Sequence, residues 1–292
     1  MILRCRTFDL DLARKTHLMG IVNVTDDSFS GDGLLATKEN LITKVEQLCR
    51  DGMDIVDIGG ESARTNRGAI SEAEEIDRIC PVVESLGSRF PDLPISVNTW
   101  RPRVVEAALR TGAHLINDIG GLPDGANARL AAKYGAALVI MHTQGEPKVA
   151  HRQVTYADVM EAIVLFFEQK IALVNASGLS EDRILLDPGL GFAKQRADNL
   201  RLMRELPALQ RLRYPILLAS SRKTVIGEVL GRPPYQRDAG TACLCALGIM
   251  GGARMLRVHN VKAMRAVAGM TDAILGSSYN RRPFTLSPQT GD

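Results

Sequence analysis

Polar residues able to bind or catalyse recur at one kind of place in this chain, just where short apolar runs stop. Asn23, Asp57, Asn98 with Thr99, Asn117 with Asp118, His142, Asp187, Ser220 with Ser221, and Arg257 with His259 all stand at such points. Each type suggests its own chemistry. Asp187 opens the stretch DPGLGFAK, and a carboxylate there can accept paired N–H bonds from the guanidine-like edge of a nitrogen heterocycle; the plainer alternative is an Asp that caps its own Pro-Gly turn. Asn98 and Asn117, which both donate and accept, belong with the heterocycle side. Arg222 and Lys223 follow two hydroxyls in ASSRKT, a setting that favours an anion or carbonyl partner over a solvated face. Arg257 and His259 are two residues apart and so share one side of an extended segment. They suit a phosphate or diphosphate, with a structural Arg–carboxylate pair as the competing account.

Two Gly-rich polar stretches, NVTDDSFSGDG and GGESARTNRGA, have the length of lids that exclude water from a site, or of plain solvated turns. Asn23 and Asp27 supply hard oxygen atoms suited to Mg²⁺, and Arg64 and Arg67 are able to meet phosphate. There is no nucleophile elbow, no Ser-His-Asp order, no reactive cysteine setting and no metal-binding His pair. The chemistry expected is positioning and charge stabilisation of a diphosphate leaving group, not covalent catalysis.

The elements that must position these residues alternate along the chain. Apolar runs of strand length lie at Leu18–Val24, Asp54–Ile58, Ile95–Thr99, His114–Ile119, Ala137–His142, Ile184–Asp187, Ile216–Ser220 and Met255–His259. Amphipathic stretches of helix length separate them: Lys38–Asp51, Ser71–Arg89, Pro102–Thr111, Gly125–Lys133, Tyr156–Ala176, Ala197–Leu212, Asp238–Met250 and Val261–Ala273. Capping residues and glycines bracket several of them, as with Thr37 and Gly52, or Thr155 and Gly178. Strict alternation predicts a parallel sheet with helical crossovers, and eight repeats predict an α/β fold of the (β/α)8 TIM barrel type, in one domain. An open doubly wound sheet is the runner-up; it would want a GxGxxG turn after the first strand, and that turn is missing. In a barrel the strand ends converge on one mouth, which accounts for all the polar ends at once. Residues 1–17 are expected to be a lead-in, 18–276 the barrel, and 277–292 a polar tail without a chemical role.

Composition excludes several classes. A net charge of +3, with Lys and Arg spread among acids, gives no nucleic-acid footprint. The longest apolar runs are far shorter than the roughly 20 residues that cross a bilayer, so no membrane span is expected. The first residues lack a signal-peptide pattern, and the expected compartment is the cytoplasm. The five cysteines, Cys5, Cys49, Cys80, Cys243 and Cys245, form an odd set without a CxxC pair and read as free, mostly buried thiols.

The motifs taken in order carry a resemblance. MGIVNVTDDSFS, DIVDIGGESAR, ISVNT, LINDI, LVIMH, ILLDPGLGFAK, SSRKTVIG and RVHNV resemble the successive strand-end motifs of the dihydropteroate synthase family, from about Leu18 to Ile274. That resemblance implies a Mg²⁺-dependent transferase of folate biosynthesis, the target of sulfonamides. It joins p-aminobenzoate to 6-hydroxymethyl-7,8-dihydropterin diphosphate and releases pyrophosphate. It implies that Asn98, Asn117, Asp187 and Lys223 hold the pterin, with Met141 and Phe192 against its ring. Asn23, Arg64, Arg257 and His259 would hold the diphosphate, Asn23 also its Mg²⁺, and Phe29, Arg64 and Ser221 would form the p-aminobenzoate pocket. Asp187, Lys223, Asn98 and Arg257 would carry the catalysis, and the protein would be a homodimer.

The chain departs from the family pattern at named positions. The family has an Asp where this chain has Asn98 and another where it has Asn260. Asp26 and Thr65 stand in place of prolines, Ala63 in place of a Thr, and Ala219 in place of a Gly. A neutral Asn98 withholds negative charge from a developing cation. The alternative function is therefore a paralogue that binds pterin with reduced or altered condensation, or without catalysis. A pterin-binding methyltransferase would share the barrel but has no need of SSRK or RVH, and an unrelated phosphate-binding barrel would make eight ordered motifs a coincidence.

Overall fold

The computed structural model describes residues 1–24, 38–61, 68–145, 149 and 154–276. The chain opens with an antiparallel hairpin of β1 (Ile2–Cys5) and β2 (Phe8–Asp11). Eight parallel strands follow and close into a barrel: β3 (His17–Asn23), β4 (Ile55–Gly59), β5 (Ile95–Asn98), β6 (Leu115–Asp118), β7 (Ala137–Met141), β8 (Ile184–Asp187), β9 (Ile216–Leu218) and β10 (Ala253–Val258). Strand β10 pairs back onto β3, which removes both sheet edges. This is the (β/α)8 barrel read from the alternation, in a single domain.

Two apolar cores hold it. Along each strand alternate side chains face opposite ways. Met19, Ile55, Leu115, Val139, Leu185, Leu217 and Met255 point inward and fill the barrel. The residues between them, including Leu18, Val56, Ile116, Leu138, Ile140 and Leu256, pack beneath the helices. Being buried on both faces is why the strands read as continuous apolar runs and not as alternating ones. Each fully buried side chain of this size stabilises the fold by about 1.5–3 kcal/mol relative to exposure.

Helices α1 (Lys38–Arg50), α2 (Glu72–Arg89), α3 (Pro102–Thr111), α4 (Ala126–Tyr134), α5 (Val159–Ala176), α6 (Arg196–Glu205), α7 (Thr224–Leu230), α8 (Asp238–Met250) and α9 (Val261–Ile274) form the outer layer. Local chemistry sets their ends. The Ser71 hydroxyl accepts from Glu74 N (3.1 Å), and Glu72, Glu74 and Glu75 place negative charge at the positive end of α2. Pro102 begins α3, where its missing N–H costs nothing.

The structure differs from the sequence reading at four elements. Residues 1–17 are not a mere lead-in, because the hairpin seals the lower end of the barrel. Leu3, Cys5 and Leu12 join the interior core, while Arg6 donates to the carbonyls of Leu109 (3.0 Å), Ala113 (3.1 Å) and Gly135 (2.9 Å), just ahead of β6 and β7. Helix α5 starts at Val159 and not at Tyr156. Asp158 caps it, accepting from Met160 N (2.9 Å) and Glu161 N (3.0 Å), so Thr155 lies outside the helix. The stretch expected as one helix to Leu212 breaks at Glu205 into a 3₁₀ segment, with Pro207 in its first turn. Helix α7 is an additional short helix directly after the SSRK segment. The tail at 277–292 lies outside the described residues.

Candidate active site at the carboxyl ends of the strands

Register brings the strand-end residues into rows. Asn23 stands opposite Gly59, Gly59 opposite Asn98, and Asn98 opposite Asn117; Met141 stands opposite Asp187. Asn98, Asn117 and Asp187 are all buried, and Met141 is wholly so, whereas Asn23 is exposed at the rim.

A hydrogen-bond network ties β4, β5, β6 and β10 together. Ser96 Oγ donates to Asp57 Oδ1 (2.5 Å), while Asn117 Nδ2 (3.3 Å) and Arg257 Nε (2.6 Å) both donate to Asp57 Oδ2. The structural Arg–carboxylate pair weighed for Arg257 is thus present, and it occupies one of five guanidinium donors. Asn117 Oδ1 is buried without a hydrogen-bond partner among the described residues. A buried acceptor left unpaired costs about 1–3 kcal/mol, which a ligand N–H removes on binding.

Charge is concentrated opposite this network. Lys223, Lys194 and Arg257 all lie within electrostatic reach of Asp187. Burial pushes the Asp187 carboxyl above the usual range, while the Gly189 N–H (2.8 Å) and these three cations pull it back. The Lys223 ammonium stands 4.1 Å from the centre of the Phe192 ring, and burial presses its pKa down to about 8. His259 is pressed to about 4, first by burial and then by Arg257, so at neutral pH it is an uncharged imidazole. Its Nδ1 shares a 2.9 Å hydrogen bond with the Ser221 hydroxyl.

A lysine that the sequence reading did not single out shapes the same region. Lys194 is buried, and its Nζ meets His142 Nδ1 (2.8 Å), Gly189 O (3.1 Å) and Phe192 O (3.1 Å). The segment from Asp187 to Lys194 is therefore wound around an ammonium. Burial lowers that ammonium to about 7. A lysine on a polar loop defaults to solvent, and only its position straight after a glycine-rich, aromatic turn hinted otherwise.

Of the residues singled out from sequence, the structure gathers Asn98, Asn117, Met141, Asp187, Phe192, Ser221, Lys223, Arg257 and His259 at this mouth. Arg222 does not belong there. Its backbone is left-handed (φ 56°), and its guanidinium grips Asp238 through two bonds of 2.8 and 3.1 Å. Asn260 also turns away from the mouth: it donates to Asp238 (2.8 Å) and caps α9 through Ala263 N (3.2 Å). Ala219 is buried among the interior residues. Asp26, Asp27, Phe29, Ala63, Arg64, Thr65 and Arg67 lie outside the described residues. Among the described residues no three His, Cys, Asp or Glu side chains cluster as a metal cage.

Comparison with known proteins points to one family. Residues 19–259 match the family model described as pterin binding enzyme. The dihydropteroate synthase of Bacillus subtilis is 39% identical over 267 residues, spanning 91% of each chain. The barrel superposes on a Yersinia pestis dihydropteroate synthase solved with a sulfonamide drug complex, with a TM-score of 0.88 and 38% identity over 95% of this chain and all of that one. A Xanthomonas albilineans dihydropteroate synthase solved with 4-aminobenzoic acid gives a TM-score of 0.86 at 38% identity, covering 94% of this chain and 98% of the other.

Proposed function

The chain belongs to the family of pterin binding enzymes, and from that premise we propose how its residues work as those of a dihydropteroate synthase. The reaction that such an enzyme carries out is an alkyl transfer. The bond from the pterin methylene carbon to the diphosphate oxygen breaks, and pyrophosphate leaves with the electron pair. The aniline nitrogen of p-aminobenzoate then bonds to that carbon and loses a proton.

The observation that carries the residue assignment is the pairing of buried acceptors with enclosed cations. Asn117 Oδ1 is a buried acceptor without a partner among the described residues, and Lys223 and Arg257 lie within electrostatic reach of Asp187. The acceptors take the N–H edge of the pterin, with Asn98 beside them and Met141, Phe192 and the Lys223 ammonium bounding the ring. Arg257 and the neutral His259 donate to the diphosphate and to the charge that builds on it as it leaves. Fixed donors in a dry site act on that developing charge without reorganising. Ser221, held to His259, and Phe29 and Arg64 from the lids are assigned to the p-aminobenzoate side.

The donor set fits Mg²⁺ of the kind that arrives with its substrate. One rim amide, Asn23, and no acidic cage among the described residues suit an ion that keeps waters and phosphate oxygens as its main ligands. When bound, such an ion neutralises diphosphate charge. Two further assignments accompany this reading. The free thiols, with Cys243 exposed, fit the reducing cytoplasm. Helix α8 carries no charge after Asp238, yet it exposes Ala239, Cys243, Leu247 and Met250 along one stripe; beside it α9 exposes Ala266, Met270 and Ile274. An apolar face of this kind fits a second copy of the chain, as a homodimer.

Purified protein with Mg²⁺, pterin diphosphate and p-aminobenzoate is expected to form dihydropteroate and pyrophosphate. No turnover at any p-aminobenzoate concentration would overturn the assignment. The paralogue reading rests on Asn98, a neutral amide in the row beside Asn117. A gain of tenfold or more in kcat on Asn98→Asp, roughly what one charge in a water-excluded site supplies, would mark a slowed variant of the enzyme.

A further inference from the structure

Asp57 has no part in the assignment above, on which this inference rests, yet three strands of the mouth converge on it. It is wholly buried, and its three partners come from β5, β6 and β10. One oxygen, Oδ2, receives both the Arg257 Nε–H and the Asn117 amide N–H. Each bond sets an orientation. A guanidinium bound through Nε commits its side edge to the carboxylate and leaves the end edge, formed by its two terminal amino groups, for another partner. An amide has two ends of similar shape and opposite chemistry, and an acceptor-only carboxylate selects the one that donates. Asn117 must then turn Oδ1 away from Asp57, where it is buried without a partner among the described residues.

We propose that Asp57 is a positioning residue of the reaction: a single carboxylate oxygen orients Arg257 toward the diphosphate and Asn117 toward the pterin. The groups on either side of the breaking bond are thereby held in register with each other. The ligand never touches Asp57. Its oxygen fixes which face of Asn117 and which edge of Arg257 the ligand meets.

Asp57→Asn isolates the charge. Its Oδ1 can still accept from Arg257 and Asn117, and its Nδ2 can donate to Ser96, whose hydroxyl accepts as readily as it donates. The expected loss in kcat/KM for pterin diphosphate is about 10- to 100-fold, the range of one charge-assisted hydrogen bond. The decisive measurements are two double-mutant cycles. The affinity for inorganic pyrophosphate with Mg²⁺ is measured for wild type, Asp57→Asn, Arg257→Ala and the double variant, and the affinity for 6-hydroxymethylpterin for the corresponding set with Asn117→Ala. The loss caused by Asp57→Asn is expected to vanish, to within about twofold, in each background that lacks the residue it orients. An equal loss in both backgrounds, the mark of a structural role alone, would overturn the proposal.

Should Asp57→Asn fail to fold, Arg257→Ala and Asn117→Ala are combined and pyrophosphate affinity is read. Coupling between them supports the shared oxygen, and independence overturns it. Wild-type turnover is measured alongside. If it is absent, the synthase assignment falls while the pyrophosphate cycle still decides the role of Asp57; if it is present with additive cycles, only the role of Asp57 falls.

Discussion

At the scale of single residues the site depends on protonation states that burial has moved. Lys223 is charged below a pKa of about 8 and neutral above it, because burial lowers the ammonium, Arg257 lowers it further and Asp187 only partly restores it. The charged form of Lys223, the one assigned to the pterin, is therefore complete below that pH and lost as pH rises through it. The pH profile of kcat/KM for pterin diphosphate is expected to fall on the alkaline side near pH 8. In Lys223→Arg, whose guanidinium stays charged past pH 12, the limb is expected to disappear from the range up to about pH 10. The same limb persisting in Lys223→Arg would assign it to another group. Asp187, Asn117, Lys223, Arg257 and His259 were legible in the sequence because a polar side chain at the end of a doubly buried strand has few other reasons to be there. Arg222 misled, since nothing local announces that a left-handed backbone turns it onto Asp238. Nothing in the sequence announced Asn260 as a helix cap, which only the fold reveals.

At the scale of elements, the segment that follows β8 shows how a loop is made rigid. Gly189 has φ +68°, and a Cβ there would stand 1.9 Å from the carbonyl oxygen of His142. The left-handed backbone alone costs an Ala roughly 1–2 kcal/mol, and the overlap adds to that by pushing the segment off β7. Gly189→Ala is expected to lower stability by more than this in urea unfolding and to raise the KM for pterin diphosphate, since Phe192 moves with the segment. An unchanged KM would separate Phe192 from the pterin. The strands themselves were readable to within a residue or two, because burial on both faces leaves an uninterrupted apolar signature. The hairpin was not, as β1 and β2 are four residues each and alternate too briefly to stand out. Helix α5 began later than expected because Asp158, with an extended backbone, caps it by accepting from Met160 N and Glu161 N.

At the scale of the whole molecule, α8 and α9 form an exposed apolar face in the outer layer. Leu247 is 49% exposed, Met250 60%, Met270 65% and Ile274 69%, high values for large apolar residues on adjoining helices. Light scattering after size exclusion is expected to find paired 31.8 kDa chains. Leu247→Glu combined with Met270→Glu is expected to give single chains with an intact barrel by circular dichroism; a pair that survives both charges would place the interface elsewhere. At the opposite end of the barrel axis from the mouth, the opening hairpin has a consequence for traffic. With Leu3, Cys5 and Leu12 corking the floor, the barrel is a cul-de-sac with one doorway, used by both arrivals and both departures. If the pterin is held against Asn117 and Asp187 as proposed, it lies at the back and is expected to bind before p-aminobenzoate.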